Sequence, residues 1–215
     1  RGWRRVSDGI CMKLRQAGFV ALCLAIPGRA EAHGGLPGGG GFVSGVAHPM
    51  LAIEQLMILL AFGVLLGRNR GQAGLPLLLL AAALVSGLWS GVALAVPQAL
   101  ALALALGLGV CLAAAVQPPI WARAVLASLA GWIIGTNTDV PALASNDLVE
   151  VFAPYVGVFT GVFLVTLNAA ALASLAVASK ARRPAAEIAL RVLGSWIAAI
   201  AIMVLALRLT NGGGA

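Results

Sequence analysis

Apolar residues dominate this chain from residue 49 onward, and the polar ones gather in short breaks between apolar runs. The breaks leave stretches at about 49–66, 75–96, 98–116, 120–135, 151–178 and 188–207. A helix rises 1.5 Å per residue, so about 20 apolar residues cover a hydrocarbon core roughly 30 Å thick. Each stretch is near that length; the fourth is short, and the fifth is long enough to tilt. The pattern predicts an all-α protein, a polytopic membrane helix bundle with about six transmembrane helices. Pro97 cannot continue a helical hydrogen-bond ladder, so it splits one long apolar tract into two helices with a tight turn. Small residues recur in the spans, among them Gly107, Gly109 and the alanines at 81–83 and 169–171, and they allow close helix contact.

The N-terminal segment has another pattern. Lys13 and Arg15 precede a short apolar run at 17–26; Pro27 and Gly28 break it, and Ala30, Glu31 and Ala32 follow. About ten apolar residues are too few to cross a bilayer. The order basic, apolar, small is that of a secretory signal peptide. The expected organisation is 1–32 as an upstream extension and cleaved signal peptide, with Met12 as its start, 33–48 as a glycine-rich periplasmic segment, and 49–215 as the transmembrane domain. Cleavage makes His33 the first mature residue and removes Cys11 and Cys23. Cys111 then stands alone in an apolar run, so neither an intramolecular disulfide nor a cysteine metal cluster is expected. The sequence GGLPGGGGFVSG at 34–45 reads as flexible or irregular.

Composition and charge narrow the function. The chain is 61% hydrophobic and 10% charged, against about 25% charged in an ordinary soluble domain. So few charges cannot clothe a globule of this size in water. The net charge of +7 raises the question of nucleic acid. The basic residues, however, sit in clusters between apolar runs, so the expected partner is a lipid bilayer and not nucleic acid. Arg68 and Arg70 follow the first span, Arg123 opens the fourth, and Lys180, Arg182 and Arg183 separate the fifth from the sixth. With an outer mature N-terminus, the positive-inside rule puts all of them in the cytoplasm. The acidic loop with Asp139, Asp147 and Glu150 then faces outward, and both mature termini are periplasmic at a bacterial inner membrane. No HExxH, P-loop, G-x-G-x-x-G or G-x-S-x-G element is present, so neither an enzyme activity nor a resident cofactor is expected.

The informative polar residues open the first span, where Gly45, His48, Pro49, Met50, Glu54, Gln55 and Met57 lie close together. Pro49 suits the first turn of a helix, which places His48 at the helix mouth near the outer interface. Glu54 follows about 9 Å deeper, where a carboxylate marks an ion path or a paired structural contact. His48 and Gln55 share a helical face. About 10 Å of axial rise separates them in a straight helix, too far to bind one ion unless the helix mouth is irregular. Met50, Glu54 and Met57 also share a face. Thioethers suit Cu(I), whereas imidazole and carboxylate suit divalent ions, and a methionine stripe in an apolar helix is more often packing. The polar run at 135–139 reads as an Asx-type turn leaving the fourth span. Asn168 in the fifth span, near Thr160 and Thr166, reads as a hydrogen-bonding residue between helices or as the lining of a polar path.

Around residues 45–57 the chain resembles the HupE/UreJ family of nickel and cobalt permeases. The first span of that family carries G-x-x-H-P-x-x-G-x-D-H. Gly45, His48 and Pro49 match it, while Ala52 stands for the Gly, Glu54 for the Asp and Gln55 for the second His. The family's H-G-x-A-H-G-x-E signature falls at about 134–140, with Gly135 kept and both histidines gone; a further family His falls at Asn168. Gln and Asn keep size and hydrogen bonding but remove the imidazole that binds a divalent metal. The resemblance implies secondary transport of a divalent cation, nickel or cobalt. His33 and His48 would capture the ion at the outer face, Glu54 would neutralise it, and Gln55 and Asn168 would line its path. Two alternatives stand beside that reading. One is a non-transporting accessory or structural subunit, packed against another membrane protein or against copies of itself. The other is copper handling through the amino group and ring of His33 with Met50 and Met57 behind.

Overall fold

The computed structural model describes residues 41–90, 97–138, 148–178 and 183–212. The expected signal peptide, His33 and the glycine run before Gly41 lie outside the described residues, as do Asp139, Asp147, Lys180 and Arg182. Among the described residues the fold is all helical. Its elements are α1 (Gly41–Leu51), α2 (Ile53–Gly67), a 3-10 turn (Arg70–Gln72), α3 (Gly74–Ser90), α4 (Gln98–Ala113), α5 (Ile120–Thr136), α6 (Leu148–Ala178) and α7 (Arg183–Gly212).

Most boundaries follow local chemistry. Pro97 and Pro119 stand immediately before α4 and α5, where a missing N–H costs nothing. The connection between α4 and α5 reverses through Ala115, whose φ of 57 is left-handed. The first expected span is where the structure departs from the pattern. It is two helices, and α1 begins at Gly41, inside the stretch expected to be irregular. Residues 41–45 are helical because α1 packs on α6: a Cβ at Gly45 would lie 2.2 Å from the Pro154 carbonyl oxygen. Such an approach is open only to glycine. Pro49, expected in the first turn, sits inside α1.

By length and composition, the described residues mark out two or three of the six expected spans. Among the described residues two helices, Leu148–Ala178 and Arg183–Arg208, are long and apolar enough to cross a bilayer, and the α1–α2 pair makes a third if its two parts are one span. Helices α3, α4 and α5 are apolar, with 17, 16 and 17 residues described.

The helices pack chiefly in pairs, and glycines mark the seams. Gly45 meets Gly157 and Val158 on α6, and Gly63 meets Thr166 and Ala169, so α1, α2 and α6 advance in the same direction. Gly131 lies against Leu80 and Leu84, and Gly135 against Leu84 and Leu88, which makes α3 and α5 parallel. Gly109 meets Gly194 and Ala198, while Gln98 bonds Arg208 and Arg191 bonds the Ala113 carbonyl; α4 and α7 are therefore antiparallel. Helix α2 is the centre: Ile58, Leu59, Ala61 and Phe62 have no exposed surface. A helix apolar all round belongs in such an interior. The outer surface is apolar too, with Trp89, Leu78, Leu172, Trp196 and Met203 each more than half exposed. That surface suits lipid rather than water.

Candidate functional site

The break between α1 and α2 builds the site. Pro49 has no N–H to offer the Gly45 carbonyl, so the helical ladder is already weakened there. The last bond of α1 runs from the Ala52 N–H to the His48 carbonyl, 3.1 Å, and the first of α2 from the Leu56 N–H to the Ala52 carbonyl, 2.9 Å. Between them Ala52 adopts an extended backbone with ψ 102, and the two helix axes diverge by 77°. The N–H groups of Ile53, Glu54 and Gln55 and the carbonyls of Pro49, Met50 and Leu51 thus fall outside both intrahelical ladders. In water such groups would be solvated; in an apolar bundle they are available to an ion.

The bend brings together side chains that a straight helix would hold apart. The Gln55 amide nitrogen, Nε2, lies 3.5 Å from Nε2 of His48. The same atom points at the Asn137 carbonyl oxygen, also 3.5 Å away. His48 is half-buried in the last turn of α1, Gln55 is buried in the first turn of α2, and Asn137 follows α5 directly. The contacts are long for hydrogen bonds, and the cluster has unused capacity. Oε1 of Gln55 and Nδ2 of Asn137 are buried without a partner. Further along α6, beside Gly63, the Thr166 hydroxyl is likewise buried and unpartnered.

The other expected site residues fare differently. Glu54 is half-buried in the first turn of α2, where the positive end of the helix dipole favours a carboxylate. Among the described residues it has neither a hydrogen-bond nor an ion-pair partner. Asn168 is not brought to the cluster. It is exposed on α6 and donates 2.7 Å to the Leu164 carbonyl of its own helix. The methionine stripe dissolves: Met50 is 36% exposed on α1, whereas Met57 is 4% exposed in the core on α2. The break puts the two thioethers on different helices, so they no longer share a face. Among the described residues, no three His, Cys, Asp or Glu side chains converge.

Two basic residues were expected only as charges that orient the spans, and the structure buries both. Arg68 caps α2 with a side chain 5% exposed, and its Nη2 pairs with Glu187 on α7 at 2.7 Å. Arg123, 2% exposed, donates to the Gln72 amide oxygen on the 3-10 turn. The signal for Arg123 was in the chain: it stands three residues inside an apolar helix, not in a polar connection.

The family model described as HupE / UreJ protein matches residues 20–204. No curated protein and no solved structure matches the chain.

Proposed function

The chain belongs to the HupE / UreJ family, whose members are nickel/cobalt transport-related proteins, and from that premise we propose that it carries a divalent metal cation across a bacterial inner membrane. One observation carries the reading. The helix break at Ala52 places His48 and Gln55 within 3.5 Å of each other, beside Asn137, in an otherwise apolar bundle. Discontinuous helices are the usual way in which membrane transporters expose backbone groups to an ion. The His48 imidazole is the ligand suited to nickel or cobalt. Oε1 of Gln55 and the freed carbonyls supply oxygen donors, and Glu54 supplies the negative charge. His33, as the first residue after cleavage, captures the ion outside. Asn168 has no place in this site.

Six crossings underlie the proposal, with α1 and α2 together as the first. Successive spans alternate in direction, so spans of equal parity must run parallel. The pairing of first with fifth, second with fourth, and third with sixth obeys that rule in all three cases. Helices of 16 or 17 residues reach only about 25 Å, which a locally thinned bilayer accommodates. The positive-inside rule puts Arg68, Arg123 and Arg183 on the cytoplasmic side and both mature termini in the periplasm.

The absence of three converging classical ligands among the described residues favours a second reading, a membrane subunit that does not itself transport. Uptake by the full-length protein in liposomes separates the two. Nickel or cobalt uptake, lost in His48→Gln and Glu54→Gln at matched protein levels, is the expected result. No uptake of any cation by the unaltered protein would favour the accessory subunit, and copper in preference to nickel would favour copper handling. Equal uptake by Glu54→Gln would remove Glu54 from the path.

A further inference from the structure

The cluster at the helix break carries two orphaned amide atoms of opposite character. Oε1 of Gln55 accepts hydrogen bonds or meets a cation, whereas Nδ2 of Asn137 only donates. Both are buried with no partner among the described residues. They belong to one cluster, because Nε2 of Gln55 lies 3.5 Å from the Asn137 carbonyl oxygen and 3.5 Å from Nε2 of His48. Local structure does not absorb them. The neighbours Thr136 and Thr138 return their hydroxyls to carbonyls of α5, Trp132 and Ile134, but the Asn137 amide does not. A buried donor or acceptor left unmet is costly, so each calls for a ligand.

A bare cation meets only half of this demand. It would satisfy Oε1 of Gln55, but the N–H of Asn137 presents its positive end and cannot ligate a metal. A water bound to the metal meets both. Its hydrogens, polarised by the ion, donate to Oε1 of Gln55, and its oxygen keeps a lone pair that accepts from Asn137. The chain is also poorly equipped to strip an ion. His48 is the one imidazole in the cluster, and among the described residues no three His, Cys, Asp or Glu side chains converge to replace a water shell.

We propose that the site takes its divalent cation with most of the water shell in place. One imidazole nitrogen of His48 ligates the metal, while Gln55 and Asn137 hold coordinated waters, the first accepting through Oε1 and the second donating through Nδ2. The proposal rests on the cation-transport reading and specifies the substrate of that site as a hydrated ion. Gln55, in place of a histidine, thereby recognises the water of the metal instead of the metal itself.

The test uses hexaamminecobalt(III), an ion comparable in size to a hydrated divalent cation whose six ammonias do not exchange. Calorimetric titration of the full chain in neutral detergent reads Co(II) binding alone and against this complex. The complex should displace Co(II), with a Kd within about tenfold of that of Co(II). Gln55→Leu should weaken the complex about tenfold, because it removes the acceptor. Gln55→His should bind Co(II) more tightly and the complex less, since its ring takes the place of a water. Co(II) binding without displacement by the complex would overturn the proposal and leave the cation reading standing. Equal binding of the complex by the unaltered protein and Gln55→Leu would put it away from this cluster and overturn the proposal as well. If Co(II) itself does not bind, the cation reading fails and the proposal falls with it. If Gln55→Leu does not accumulate, Gln55→His decides: undiminished binding of the complex overturns the assignment.

Discussion

The helix break makes a gain-of-ligand experiment possible at Gln55. A metal held tetrahedrally by two imidazoles at 2.0–2.1 Å sets their nitrogens about 3.3 Å apart. Nε2 of Gln55 already stands 3.5 Å from Nε2 of His48. Histidine reaches about as far from the backbone as glutamine, so Gln55→His needs a shift of only a few tenths of an ångström to close a two-imidazole site. In a straight helix the same substitution would leave about 10 Å of axial rise between the rings. Position 55 is 2% exposed, so the larger ring should cost stability, on the order of 1–3 kcal/mol, without preventing folding. The second imidazole should tighten Co(II) or Ni(II) binding at least tenfold, about 1.4 kcal/mol. Calorimetric titration of the purified protein, Gln55→His and Gln55→Leu reads this directly. The expected order is Gln55→His tightest and Gln55→Leu weakest. The gain should vanish when His48→Ala is combined with Gln55→His, because the two rings act on one ion. A folded Gln55→His protein that binds no more tightly than the parent would refute the apposition of residues 48 and 55.

Other expectations follow from the packing and the charge pattern. Gly45→Ala should cost roughly 1–3 kcal/mol in thermal unfolding, since its Cβ would be more than 1 Å short of the 3.4 Å at which ordinary contact with α6 begins. Gly107→Ala, with nothing within 4 Å of the added carbon, should be neutral or stabilising by up to about 1 kcal/mol; equal losses at the two sites would mean that the α1–α6 seam is not as tight as described. Glu187→Gln should destabilise by about 3 kcal/mol, because it strands the charge of a buried Arg68. Adding Arg68→Gln should recover part of that loss, and no recovery would show that the pair is not coupled. Reporter fusions after residues 70 and 183 should read cytoplasmic; a periplasmic signal at either would break the six-crossing topology.

Much of the fold is written locally. The apolar runs, Pro97 before α4 and the polar turn after residue 67 place most helix ends within a few residues, because helix length and proline chemistry act over one or two turns. The same runs overstate how alike the helices are. Helix α1 was hidden by composition: glycine reads as a linker until the partner that needs its bare backbone, the Pro154–Gly157 turn of α6, is in view.

The candidate site divides in the same way. Sequence alone supplies its chemistry, a histidine before a proline and a carboxylate next to an amide, early in an apolar span. Its geometry belongs to the tertiary structure. The residue types at 48 and 55 are local facts, but their apposition depends on the 77° bend at Ala52 and on the end of α5 arriving with Asn137. Asn168 has the right chemistry and faces the wrong way, since the packed stripe of α6 is set by Gly157, Gly161 and Ala169. Arg123 shows the converse: its charge is plain in the sequence, but only packing decides that it is buried with its guanidinium half-satisfied. Residue type and spacing determine what a position is able to bond; which groups meet is a property of how the helices cross.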